Sequence, residues 1–98
     1  MSKESAIKQK QRRARLRTLR HLRAIYGSES ESVLPQTNCP AHYYVPKVKT
    51  FFCIMVDEIN PITRQALERL KRSSSKDTMI FIHLYKKSDT DNPELIEV

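Results

Sequence analysis

The sequence predicts an α+β protein: a long basic N-terminal helix, a flexible linker, and a small βαβ body of two long strands and one helix. Three observations predict it. Residues 3–26 hold neither Gly nor Pro and are rich in strong helix formers. Residues 27–47 hold three of the five prolines and the only glycine, which removes any helical or strand period apart from a short edge strand at 42–45, HYYV, that Pro46 stops. Beyond them, two near-continuous apolar runs bracket a stretch that carries helix-start signals.

Taken in order, the first helix has Ser2 or Ser5 as its cap and stops at Gly27, since glycine turns left-handed at little steric cost. At roughly 100° per residue, Lys10, Arg13, Arg17 and Arg20 share a stripe about 80° wide, and Leu19, Leu22 and Tyr26 share another side. The basic stripe is therefore a row, about 15 Å long from Lys10 to Arg20. Residues 48–56, VKTFFCIMV, read as a strand buried on both faces. Asn60 is a natural N-cap with Pro61 at the first helical position, and Ile62, Ala66, Leu67 and Leu70 make an apolar stripe. Residues 78–85, TMIFIHLY, are the second strand, and the remainder leaves as a polar tail. The division is 1–26 basic helical arm, 27–47 linker, 48–87 small βαβ domain and 88–98 tail.

Alternation along the strands sorts their side chains into two faces. Val48, Phe52, Ile54 and Val56 with Ile80, Ile82 and Leu84 form the aliphatic face on which the second helix packs. Phe51, Cys53 and Met55 with Met79, Phe81, His83 and Tyr85 form the other. One helix covers one face, so the second face must meet the N-terminal helix, another copy of the chain, or a partner protein.

Charge is spread unevenly. Of 18 Lys and Arg, nine fall within residues 1–26 against Glu4 alone, while the other nine face ten acids. A basic arm on a near-neutral body is the asymmetry of a polyanion binder. Lys8, Lys10, Arg12, Arg13, Arg15, Arg17, Arg20 and Arg23 are the nucleic-acid-binding set. Such residues neutralise phosphates and release counterions, which needs no pocket. Arginine adds bidentate phosphate contact and stacking on bases. No zinc-finger, helix-turn-helix or RRM motif is present, and arginine-rich segments that order on binding favour RNA over DNA. Phe51, Phe81, His83 and Tyr85 are read as a protein interface or a base-stacking platform.

Other chemistry finds less support. Zinc needs four ligands, and Cys39, His42, Cys53 and His83 could supply them. Cys53 and His83 stand alone inside apolar strands, so the reading is no metal and no cofactor. One glycine cannot make a phosphate-cradling loop, and the acids are scattered, so the chain is read as non-enzymatic. No run is apolar enough to span a membrane. Two cysteines without a secretory signal point to cytoplasm or nucleus, and the Arg-rich, acid-poor arm keeps mitochondrial import open. The expected function is an RNA-binding or ribonucleoprotein component that also contacts a protein partner or forms a homodimer. The alternative is an interaction adaptor whose arm is a targeting signal or binds acidic protein or membrane surface.

Overall fold

A computed structural model describes the backbone of residues 3–86 and 89–98 and the side chains of residues 8–86 and 93–98. The order of elements is α1 (Lys3–Tyr26), β1 (Leu34–Pro35), β2 (Tyr43–Val45), β3 (Thr50–Val56), α2 (Pro61–Ser73), β4 (Met79–Lys86) and β5 (Asp89–Glu97). The strands lie in chain order in one five-stranded sheet. β3 and β4 are parallel neighbours joined through α2, and every other pairing is antiparallel.

Local chemistry explains where the helices begin and end. Gly27 adopts φ +127°, and its N–H returns to the Arg23 carbonyl at 2.9 Å. A Cβ at that place would meet Ser32 Oγ at 2.7 Å, so glycine is required by both angle and space. Ser2 lies outside the described residues, and Ser5 is within the helix. At the start of α2, the Asn60 side chain accepts hydrogen bonds from the Ile62 and Thr63 amides at 3.0 and 3.2 Å. Pro61 fills a position whose N–H would have no helical partner.

The sheet is covered on both sides, which is why β3 and β4 are apolar without alternation. Leu67 of α2 packs with Cys53, Met55, Ile80, Ile82 and Leu84. On the opposite face Ala14 and Leu22 of α1 pack with Tyr43, Val45, Phe52, Ile54 and Tyr85. Of the three occupants considered for the second face, the N-terminal helix is the one that lies there.

Several expectations are corrected. The sheet has five strands where two long strands and a short edge strand at 42–45 were expected. Residues 27–47, expected otherwise as a flexible linker, carry β1 as well as β2, which lies where the short strand was expected, and bury Val33, Ala41, Tyr43 and Val45. The expected polar tail forms β5, whose Pro93 is tolerated because an edge strand has one side without ladder bonds. The boundary at 87–88 falls outside the described residues. The face assignment also changes. Phe52 pairs with Phe81 and Cys53 with Ile82, so Ile80, Ile82 and Leu84 share a face with Cys53 and Met55. A slip of one residue in register moves a strand's whole side-chain set to the other face, and nothing local in either strand sets that register. Ile62 is 75% exposed, because it sits about 140° around the helix from Leu67.

Candidate nucleic-acid interface

The geometry of α1 starts from its buried stripe. Ala14, Thr18 and Leu22 recur every fourth residue and are all buried against the sheet. The Thr18 hydroxyl shares a 2.6 Å hydrogen bond with the Tyr85 hydroxyl, so the one polar group in that stripe is satisfied. The stripe splits the cations into two rows. Lys10, Arg13, Arg17 and Arg20 lie on the flank toward Tyr85 and Lys86. Arg15 and Arg23 lie on the flank toward Tyr43, and Arg15 also acts on His42. Lys8 and Arg12 share that second flank by helical position. Lys8, Arg12, Arg13, Arg15, Arg17, Arg20 and Arg23 are exposed, while Lys10 is half-buried.

The helix runs antiparallel to the parallel strand pair. Its first half lies at the C-terminal ends of β3 and β4, where Lys10 Nζ meets Asp57 Oδ1 at 3.7 Å. Its end lies near their beginnings, where Tyr26 lines a hollow with Thr50, Met79 and Phe81. At the first of these places an open cleft of about 640 Å³ separates the helix from the strand ends. Lys10, Arg13, Arg17, Arg20 and Lys86 line it, together with Asp57, Ala14, Leu16, Val56 and Tyr85. The row read from sequence as one stripe is thus one wall of a cleft. Asp57 is held at the rim in a left-handed conformation, φ +69°, by its own N–H donating to the Tyr85 carbonyl at 2.9 Å.

The sequence reading did not join Lys86 and Asp57 to the α1 row, because only the sheet brings them to the helix. A signal existed: both stand at the C-terminal ends of adjacent parallel strands, where open α/β sheets place their ligands.

The four rings read as an interface or stacking platform do not share one surface. Phe51 lies on the α2 side, tilted against Tyr44 with centroids 4.5 Å apart. Phe81, His83 and Tyr85 lie on the α1 side, and His83 is only 4% exposed. Phe81 is the partly open member of that trio. Burial first, and the charge of His21 second, lower the His83 pKa to about 4. Among the described residues its Nδ1 has no hydrogen-bond partner.

The four soft ligands are also dispersed. Cys53 faces α2 and donates to the Pro40 carbonyl at 3.4 Å, while His83 sits edge-on to Phe52 on the other face. His42 Nδ1 accepts from the Ile54 amide at 3.0 Å, which holds a neutral imidazole, and burial followed by Arg15 lowers its pKa. Burial, then the neighbouring Cys39, pushes the Cys53 thiol up to about 12, so it is a packed apolar group at neutral pH. Among the described residues no three His, Cys, Asp or Glu come together. Among them too, no helix is long and apolar enough to cross a membrane.

No family model matches the chain, and neither do the curated proteins or the solved structures compared with it.

Proposed function

We propose that the chain is a non-enzymatic nucleic-acid-binding protein that grips the phosphate backbone, of RNA before DNA, with the exposed face of α1. One observation carries the reading. Seven of the eight candidate cations are exposed on a helix whose opposite stripe, Ala14, Thr18 and Leu22, is fixed to the sheet. Such a helix holds its charges on a ridge formed in advance, so little conformational entropy is lost when phosphates arrive. This replaces the idea of an arm that orders only on binding. The preference for RNA rests on the arginine content alone. The strip of Val48, Met79, Phe81 and Leu95 that α1 leaves partly open supplies a protein contact in this reading.

The test is binding of the full chain to a structured RNA and to a DNA duplex across a salt series. If about six phosphates are engaged, log affinity for the duplex falls with log salt at a slope near −5. Replacing Arg12, Arg15 and Arg23 together by Gln should weaken binding about tenfold or more and reduce the slope by about three. Salt-independent binding, or full affinity in the triple variant, would remove the reading.

A further inference from the structure

β5 ends the strand order and runs Asp89–Glu97, whereas the opposite edge, β1, is two residues long and one of them is proline. Along an antiparallel strand, successive residues turn their backbone groups to opposite sides. The Val98 N–H donates to the Ile80 carbonyl at 2.9 Å, and Ile96 and Glu94 stand opposite Ile82 and Leu84 in the same register. Val98, Ile96 and Glu94 therefore turn inward to β4. The N–H and C=O of Leu95 and Glu97 turn outward with the C=O of Pro93, and no strand lies beside them. α1 packs chiefly on β3 and α2 on β4, both inside this edge. A long edge left open is a template for another strand.

Side chains decide which strand fits. Leu95 is 62% exposed and continues the partly open strip of Val48, Met79 and Phe81. Glu94 and Glu97 make the edge acidic, so a strand that pairs with it must keep acids from standing opposite them. A second copy of β5 does so. With Leu95 opposite Leu95 of the second copy, Glu94 faces Ile96 and Pro93 faces Glu97. Each Leu95 N–H then donates to the other's carbonyl, and each Glu97 N–H to the Pro93 carbonyl opposite. Pro93, which lacks an N–H, costs the ladder one bond a side and blocks nothing else. Sliding one strand by two residues puts Glu94 opposite Glu94 in one direction, and Leu95 opposite Glu97 in the other. In the register centred on Leu95 the two Glu94 side chains are only diagonal neighbours, and Lys86 Nζ already holds Glu94 at 3.0 Å.

We infer that two copies of the chain pair through β5, antiparallel about Leu95, into one continuous sheet. The two-fold axis runs perpendicular to that sheet, so both α1 helices stand on the same face. A contact confined to Pro93–Glu97 of each copy is small, so the dimer forms reversibly and at high concentration. The inference goes beyond the phosphate-binding reading of α1 and does not depend on it.

The experiment is sedimentation velocity of the full chain, without nucleic acid, from about 5 µM to about 500 µM. The expected result is a shift from the 11.5 kDa monomer to twice that mass. Leu95→Lys sets two ammonium groups opposite each other and should weaken the dimer about tenfold or more, while the thermal midpoint of the dilute chain stays unchanged. Leu95→Cys in a Cys39→Ser background should form an intermolecular disulfide on treatment with diamide. Opposite Cα atoms of such a pair lie about 5.5 Å apart, within disulfide reach. Ile62→Cys in the same background, exposed on α2, should cross-link about tenfold more slowly or less. A monomer throughout the range overturns the inference and leaves the edge to a strand of another protein. A dimer that persists in Leu95→Lys, or cross-linking as fast at position 62 as at 95, puts the contact elsewhere and overturns it too. Mass that grows past the dimer marks an open-ended contact and overturns the closed pairing.

Discussion

The two faces of the sheet are built from different materials. Under α2 the buried apolar side chains are aliphatic or sulfur-bearing, Ala41, Cys53, Met55, Leu67, Ile80, Ile82 and Leu84, with the buried Thr78 before β4 bonded to Ser75. Under α1 the buried set includes Tyr43, Tyr85, Thr18 and His83. The two hollows described above both open on the α1 face, one on the charged side of the helix and one near its end. These hollows flank α1. The difference teaches where stability and binding reside: dry aliphatic packing contributes most per residue, and polar or partly open packing leaves room for ligands.

The largest effect that tests this contrast comes from matched truncations. Leu67 is fully buried under α2 and Leu22 nearly so under α1. Leu67→Ala should cost toward the upper part of the roughly 2–5 kcal/mol seen for such changes, and Leu22→Ala toward the lower part. The reason is collapse: a helix flanked by open clefts can settle into a new cavity, and a sealed layer cannot. Urea unfolding of both variants measures it. Equal losses, or a larger loss at Leu22, would break the contrast between the faces.

Acid should act next, through His83 on the α1 side and through His42, whose pKa burial and Arg15 also lower. An unfolded imidazole takes up its proton near pH 6.5, while folded His83 resists protonation down to about 4. Between those values the unfolded chain binds the additional proton. Stability from this group is therefore intact above 6.5 and is lost as pH falls toward 4, by up to about 1.4 kcal/mol per pH unit. His83→Leu removes that component, so the difference between variant and parent should grow in the variant's favour as pH drops. Parallel stability curves for the two proteins from pH 7 to 4 would show that His83 is not the sensitive group.

Sequence reading reached the parts of this design that are local. Gly27 and the Asn60–Pro61 pair announce helix ends because their chemistry acts within a few residues. The runs in β3 and β4 announce burial on both faces, and the helical row announces one wall of the cleft. What escaped is set by distant partners. β1, with two residues, is too short to show a period, and β2 reads only as a short edge strand with no sign that β1 lies beyond it. β5 is polar, carries Pro93 and pairs on one side only, so its strand character comes from β4. Register, and with it the face of every β4 residue, depends on which strands become neighbours. Asp57 and Lys86 join the cleft, and His83 Nδ1 is left without a hydrogen-bond partner among the described residues, through that same non-local step.

The smallest predicted effect sharpens the contrast most, because it isolates one bond between helix and sheet. Thr18 and Tyr85 share a buried hydrogen bond across 67 positions of sequence, between α1 and the strand that floors the cleft. Thr18→Val or Tyr85→Phe alone leaves the other hydroxyl buried without its partner, at about 1–2 kcal/mol each. The double variant loses both polar groups together, so its cost should fall well short of the sum, with a coupling of about 1 kcal/mol. Thermal or urea unfolding of the three variants closes the cycle. Full additivity would mean that the two hydroxyls act independently and that α1 is held by its apolar stripe alone. Strong coupling would make this bond a fixed point of the α1 face. It would then set the distance between the cationic wall and the strand ends, and so the width of the cleft.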